Sequence, residues 1–420
     1  MPKSLRVAIE TLGCKLNQAE SEEIARQLIQ AGCEIVPLES GADVFILNTC
    51  TVTHIADRKC RNLLRRVAAS NPDIKVVALG CYADSSTDEL IKIPGVTAVF
   101  GNTAKVDLLS HLRQYSWFTS QAESSNIQYR RRTRSFIKAQ DGCSNYCSYC
   151  IVPQVRGAEK SLPIAGVINT IQGKVDQGFK EVVLTGTEIG RYSDVDLKLK
   201  DLMQTILTET KIERLRLSSL QPQEIVPDLI ALWENPRLCR HFHIALQSGS
   251  DSVLARMKRR YNSQMYSDKI QYLRESIPDV AITTDIIVGF PGETDKEHLE
   301  SLDLCRQIGF SRTHIFSYSP RRGTPAAEYS YQVSADVKKE RSSQMLTLGK
   351  ESLSSYNARY LGKTLEVLVE QSSGGNWSGY TDTYIKVYIK NSQDLANRLV
   401  SVKLLELKTD GLRGELVKSQ

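Results

Sequence analysis

The chain has 420 residues, of which 41% are hydrophobic and 24% charged, with a net charge of +6. At roughly 100–200 residues per domain this implies two to four domains of ordinary soluble composition. No run approaches the roughly 18 apolar residues of a membrane span, which excludes an integral membrane protein. Met1-Pro2-Lys3-Ser4-Leu5-Arg6 has no apolar leader, so a cytoplasmic, reducing location is expected, and its ten cysteines need a purpose other than disulfides. The 54 Lys and Arg against 48 Asp and Glu hint at an anionic partner.

In chain order, Arg6–Glu10 reads as a strand and Glu20–Ala31 as an amphipathic helix. Val44–Leu47, Val76–Leu79 and Val96–Phe100 are short buried runs, with a helix over Ala56–Ala69. Such runs separated by helices indicate an open, parallel α/β sheet covered on both faces, spanning residues 1–115. A polar linker, 116–134, carries the basic run Arg130-Arg131-Arg132-Thr133-Arg134. Six candidate strands follow within 135–358: Ser135–Ala139, Glu181–Thr185, Arg214–Ser218, Phe242–Leu246, Ala281–Val288 and Thr313–Ser317. Helices over Asp295–Ile308 and Ala335–Tyr356 accompany them. Six βα units close most of a barrel, with sites at the carboxyl ends of the strands. From 359 to 420 the pattern becomes alternating, with strands Thr364–Glu370, Tyr380–Ile389 and Leu399–Glu406. Gly374-Gly375 lies between the first two, and a small, OB-like β-barrel is expected.

Cys143-Ser-Asn-Tyr-Cys147-Ser-Tyr-Cys150 follows the first of the six strands. Three thiolates on one loop hold three irons of a 4Fe-4S cluster and leave the fourth open to a ligand. Zinc fits less well, because no fourth ligand follows at finger spacing. Cys14, Cys50 and Cys81 each stand just past the carboxyl end of a strand in the first domain. Those ends face one crevice in an open α/β sheet, so the three cysteines converge. Gly13 and Gly80 precede two of them and permit close backbone approach. Spacing leaves two readings open, a second three-thiolate cluster or buried structural thiols. Cys60 and Cys305 lie on apolar helical faces and read as core.

Cys143-x3-Cys147-x-Tyr149-Cys150 resembles the radical S-adenosylmethionine motif. Three upstream cysteines and a terminal barrel resemble the methylthiotransferase family in particular. The matching segments include Gly13-Cys14-Lys15-Leu16-Asn17-Gln18, Asn48-Thr49-Cys50-Thr51-Val52-Thr53, Gly80-Cys81-Tyr82, Arg156-Gly157, Leu246-Gln247-Ser248-Gly249 and Gly289-Phe290-Pro291-Gly292-Glu293. The terminal module resembles a TRAM domain, an RNA-binding barrel. Lys15, Asn17, Thr51-Val52-Thr53 and Asp57-Arg58-Lys59 resemble the branch that acts on N6-threonylcarbamoyladenosine of tRNA. Two positions depart from the pattern: Glu188 stands where His is expected, and Ala245 where Pro is expected.

The resemblance implies two 4Fe-4S clusters, a radical one on Cys143, Cys147 and Cys150 and an auxiliary one on Cys14, Cys50 and Cys81. It implies two molecules of S-adenosylmethionine per turnover, one methylating the auxiliary sulfur and one giving a 5′-deoxyadenosyl radical. An unactivated aromatic C–H requires this, because no side-chain base removes such a hydrogen at neutral pH. Cofactor contacts are expected at strand ends, from Tyr149, Gly186, Glu188, Ser218, Ser219, Gln247, Asp285 and Val288. Phosphate contacts are expected from Arg130, Arg131, Arg132, Arg134, Lys258, Arg259, Arg321 and Arg322, beside Tyr380, Tyr384 and Tyr388. The partners implied are a tRNA anticodon stem-loop, an electron donor and a sulfur source. Alternative substrates are isopentenyladenosine tRNA and a ribosomal-protein aspartate; a non-enzymatic iron–sulfur RNA-binding regulator is the alternative of another class.

Overall fold

The computed structural model describes residues 4–118 and 133–417, so Arg130, Arg131 and Arg132 lie outside the described residues. The first domain is a five-stranded parallel sheet. Its strands are β1 (Arg6–Thr11), β2 (Glu34–Ile35), β3 (Val44–Thr49), β4 (Lys75–Gly80) and β5 (Val96–Phe100), in the order β2-β1-β3-β4-β5. All six residues of β3 are buried, because helices cover both faces. Helix α1 (Lys15–Gln30) follows β1, α2 (His54–Ser70) follows β3, and the short α3 (Cys81–Ser85) follows β4. Helix α1 begins earlier than its apolar periodicity suggests, with Cys14 as its N-cap. Trp117 and Phe118, inside the stretch expected as linker, pack on this domain's core instead.

The second domain carries the six expected strands: β6 (Arg134–Lys138), β7 (Glu181–Thr185), β8 (Arg214–Leu217), β9 (His241–Ile244), β10 (Ala281–Val288) and β11 (Arg312–Ser317). Parallel pairing runs β6-β7-β8 on one side. On the other, the short strand Ser219–Leu220, which continues β8, pairs with β9, and β9-β10-β11 follow. The result is an open arc, with β6 and β11 as its edges. Helix α1 of the first domain packs along β6 at the open side, where Ser135 Oγ donates to Glu22 at 2.8 Å. The helix that follows the cysteine loop is α4 (Val152–Arg156).

The terminal domain is a closed five-stranded barrel of β12 (Thr364–Ser373), β13 (Asn376–Thr381), β14 (Lys386–Lys390), β15 (Leu399–Lys408) and β16 (Gly411–Leu416). The single strand expected over Tyr380–Ile389 is broken in two. Tyr384 adopts φ +66°, and the Thr381 hydroxyl accepts from the Ile385 N–H at 3.0 Å, which reverses the chain.

Candidate active site

The Cys143–Cys150 loop leaves the carboxyl end of β6 and is held by backbone. Cys143 N–H donates to Gly157 O at 3.1 Å, and Ser148 N–H to Met257 O at 3.0 Å. Gly142 has φ +72°, and a Cβ there would lie 2.0 Å from the carbonyl oxygen of Ala158, so only glycine fits. N–H groups are aimed at the sulfurs: Asn145 N–H at Cys143 Sγ, 3.5 Å, and Arg259 Nη1 at Cys147 Sγ, 3.3 Å. Burial pushes the Cys143 thiol up to about 12 and Cys150 to about 11, so in the bare protein both are protonated. A bound metal reverses this, because a coordinating thiol is deprotonated outright.

The second triad is assembled from three loops. Cys14 caps α1, Cys50 follows β3, and Cys81 opens α3. Their convergence is visible in mutual electrostatic influence, Cys50 feeling both Cys14 and Cys81. Burial pushes Cys50 up to about 12 and raises Cys14 as well. A Cβ on Gly13, at φ +126°, would lie 2.8 Å from both Cys50 Cβ and Asn17 Nδ2. A Cβ on Gly80, at φ +103°, would lie 2.6 Å from Asn48 Oδ1. The two glycines are therefore needed to let neighbouring cysteine loops approach each other. Asn17 ties two of these loops: its Nδ2 donates to Leu12 O and Thr49 O, both at 3.0 Å. Asn102 Nδ2 points at Cys81 Sγ, 3.5 Å. All six thiols are free, and each triad offers three sulfurs with N–H donors close by, a donor set that fits an iron–sulfur cluster.

The two triads share a wall. Cys81 packs with Ile151, which directly follows Cys150, and with Val155 of α4. Asn102 Nδ2 also donates to Val155 O at 2.7 Å. At the end of α4, Arg156 is 3% exposed and reaches Asn17 Oδ1 at 2.6 Å, Glu20 at 2.9 Å and Asp141 at 2.8 Å. Lys105 and Lys138 complete the Glu20 cage at 2.5 and 3.1 Å. Burial alone would raise Glu20, but Lys105 and Arg156 hold it far below the usual carboxylate range. Of this network, the sequence marked Asn17 and Arg156 within matching segments, but neither their pairing nor the part played by Glu20, Lys105 and Lys138.

The expected cofactor residues stand on the Cys143–Cys150 loop, just past the carboxyl ends of β7, β8 and β9, and within β10, where Val288 turns into the apolar core. A Cβ on Gly186 would meet Gln140 Oε1 at 2.7 Å, so the glycine allows that strand end to close in. Glu188 is buried, contacts Cys143 Sγ at 3.2 Å, and accepts from Asn145 Nδ2 at 2.5 Å. Burial and the adjacent Glu188 push Glu224 up to about 8. Ser218 Oγ is buried without a hydrogen-bond partner among the described residues. Ser219 stands in the short strand, and Gln247, at φ +66°, bridges to β10 through Asp285 O and Ile287 N. Asp285 meets His243 Nε2 at 3.3 Å, which keeps it below the usual range despite burial. Val288 is buried, and Tyr149 packs edge-on to Phe290. The departing Ala245 offers its carbonyl to Tyr261 OH at 2.6 Å.

Three of the arginines expected on RNA are not surface groups. Arg134 pairs with Glu370 at 2.5 Å and lies over Tyr380 and Tyr384. Arg259 faces Cys147 and Gln221. Arg321 is buried, pairing with Asp57 at 2.6 Å and Thr51 O at 3.0 Å, and so joins the second domain to the loop after Cys50. Each binds a carboxylate, a sulfur or a carbonyl that a charge run in sequence does not reveal. Tyr384 is likewise turned inward, stacked on His241 at 4.7 Å. Lys258 and Arg322 are exposed.

Parallel strands with three cysteines after the first are the architecture of a radical S-adenosylmethionine enzyme, and residues 137–305 match the model of the Radical SAM superfamily. Residues 6–101 match Uncharacterized protein family UPF0004, and residues 358–417 the TRAM domain. The chain is 36% identical to threonylcarbamoyladenosine tRNA methylthiotransferase MtaB of Bacillus subtilis, over 98% of this chain and 96% of that protein. The same named protein of Thermotoga maritima is 36% identical, over 99% and 98%. A tRNA-2-methylthio-N(6)-dimethylallyladenosine synthase of Clostridium tetani is 33% identical, over 97% and 96%. The chain therefore belongs to the radical S-adenosylmethionine methylthiotransferase family. Its fold is shared with the radical S-adenosylmethionine methyltransferase TsrM of Kitasatospora setae, TM-score 0.58 at 15% identity, over 77% of this chain and 74% of that one. Among the described residues no helix is long and apolar enough to cross a membrane.

Proposed function

We propose that the protein methylthiolates carbon 2 of N6-threonylcarbamoyladenosine at position 37 of tRNA, next to the anticodon, in the cytoplasm. The observation that carries this reading is the shared wall: two three-thiol sites, one in each of two domains, meet across Cys81, Ile151 and Val155. A substrate carbon has to be reached both by a hydrogen-abstracting group and by a sulfur donor, and the shared wall brings two such sites together. Full-length similarity to proteins named for threonylcarbamoyladenosine supports the substrate. Cys143, Cys147 and Cys150 would hold the radical cluster, and Cys14, Cys50 and Cys81 the auxiliary one. When bound, the clusters and S-adenosylmethionine supply hydrogen abstraction from carbon 2 and the methylated sulfur that replaces it.

The chain's own residues orient these groups and keep water out. Once Cys143 is a thiolate, its 3.2 Å contact with the Glu188 carboxylate is repulsive, so Glu188 turns toward a cation, and the cofactor's ammonium is the cation expected there. Glu224, pushed up by burial and by Glu188, takes a proton more readily than an ordinary carboxylate and so adds less negative charge beside Glu188. Ser218, at the end of the neighbouring strand β8, supplies a hydroxyl without a partner among the described residues. An electron donor and a sulfur source complete the partners. The test is mass spectrometry of anticodon-loop nucleosides from cells with and without the protein. Its deletion leaves threonylcarbamoyladenosine without the methylthio group. A change confined to isopentenyladenosine would overturn the substrate.

A further inference from the structure

Directly after Cys14, Lys15 extends from the start of α1 through the open side of the arc into its interior. The charged and titratable groups that act on it most are Tyr384, Arg216, Arg134 and Asp285, drawn from the second and terminal domains. Among the described residues it has no salt-bridge or hydrogen-bond partner. Every other charge in this chamber has one. Arg216 Nε meets Glu181 at 2.7 Å, Arg214 Nε meets it at 3.1 Å, and Arg134 meets Glu370 at 2.5 Å. Asp285, the carboxylate that most influences Lys15, is engaged by His243 at 3.3 Å. Four cations, Lys15, Arg134, Arg214 and Arg216, thus share the chamber with three carboxylates, Glu181, Glu370 and Asp285. The surplus is one positive charge. Tyr384 registers it: burial would raise that phenol, yet Arg134, Lys15 and Arg216 pull it below its ordinary value.

An ammonium held here without a partner is costly, which lowers the Lys15 pKa, and a ligand that pairs with it removes that cost. We infer that Lys15 is the counter-ion for a carboxylate carried by the substrate, and that it selects an adenosine bearing an amino-acid carboxylate over one bearing a hydrocarbon. The inference rests on the substrate reading above and adds the group that enforces it. The placement is apt because Lys15 adjoins Cys14, so a base presented to that triad brings its N6 substituent to the neighbouring residue. An isopentenyl group would leave the ammonium unpaired, and a site built to pair a polar group rejects an analogue that lacks it.

The test uses the full-length, iron-loaded chain and two anticodon stem-loops, one with threonylcarbamoyladenosine at position 37 and one with its carboxylate capped as the amide. Equilibrium binding is read by fluorescence anisotropy at one salt concentration. The wild type should prefer the carboxylate RNA by about 10- to 100-fold, the range of a charged hydrogen bond. Lys15→Gln should bind both RNAs alike, and Lys15→Arg should keep most of the preference. Equal binding of the two RNAs by the wild type overturns the inference without use of a variant, as does a Lys15→Gln protein that retains the full preference. A wild type that methylthiolates the carboxylate RNA but shows no preference sinks the role of Lys15 and leaves the substrate intact. A wild type that neither binds nor modifies that RNA sinks both.

Discussion

The two cysteine triads solve one problem in opposite ways. Cys143, Cys147 and Cys150 lie within eight residues of sequence, on a loop fixed by its own backbone hydrogen bonds. Cys14, Cys50 and Cys81 come from three loops, and their separation is set by the sheet, by two glycines and by Asn17. A local site survives changes in its neighbours, whereas a dispersed site inherits every shift in the elements that carry it. The two triads should therefore differ in what breaks them.

The largest effects come from the cysteines themselves. Cys147→Ala should abolish 5′-deoxyadenosine formation. Cys50→Ala should leave that cleavage intact and yield no methylthio product, with iron lower by about one cubane in either protein. Iron per chain and the two product yields on reconstituted protein decide this; full product from Cys50→Ala would refute the division of labour. Next is Arg156→Met. Removing a buried partner costs about 3–5 kcal/mol, and the low end applies here because Lys105 and Lys138 still face Glu20. The denaturation midpoint should fall, and the auxiliary triad should lose iron before the radical one. Gly13→Ala should act on the dispersed site alone. A side chain at φ +126°, with its Cβ 2.8 Å from that of Cys50, costs about 1–3 kcal/mol of local strain. Loss of auxiliary iron with normal radical-cluster absorbance is the expected result, and loss of both would place the glycine in the general fold.

The amino ends of β6, β7 and β8, opposite the strand ends that carry the Cys143–Cys150 loop, supply a third region. Burial would raise Glu181, but Arg216 and Arg214 hold it at about 2. Its pairing contributes stability above the usual carboxylate pKa, and that contribution is lost as pH falls toward 2. Thermal midpoints of the wild type should drop over that window, and Glu181→Gln should flatten the profile. The smallest effect is on RNA. Lys258→Gln or Arg322→Gln should lower the salt slope of tRNA binding by roughly 0.7–0.9 for each phosphate contact removed. Arg321→Gln should instead lower the unfolding midpoint, because that side chain pairs with Asp57.

The same contrast explains what the sequence disclosed. Strands β6 to β11 were legible because each is a short stretch of apolar residues, nearly continuous in β7 or alternating with polar ones as in β8 and β9, and such periodicity is local. The C-x3-C-x2-C loop was legible because its chemistry is contained in its spacing. Convergence of Cys14, Cys50 and Cys81 could be inferred only through the rule that parallel strand ends share a crevice. Spacing alone left buried thiols as a competing reading. The Arg156 network was hidden, because a charge's partner lies more than a hundred residues away in Asn17 and Glu20. Arg134, Arg259 and Arg321 show the same limit: composition reports charge, while burial and pairing belong to the fold. Tyr380–Ile389 alternates like one strand, yet Tyr384 at φ +66° turns it into two.

That turn has a consequence for the order in which the protein is made. Tyr384, delivered by the last sixty or so residues, stacks on His241, and Arg216 donates to Thr381 O and Asp382 O at 3.1 and 2.8 Å. Arg134, Glu181, Arg214 and His241 all stand at or near the amino ends of their strands, so the terminal barrel forms the floor of the arc. A chain still on the ribosome has its cysteine loops complete but its floor missing. Water reaches Glu181 and Arg216 from below until the terminal barrel docks, and the arc gains its floor only with that barrel in place.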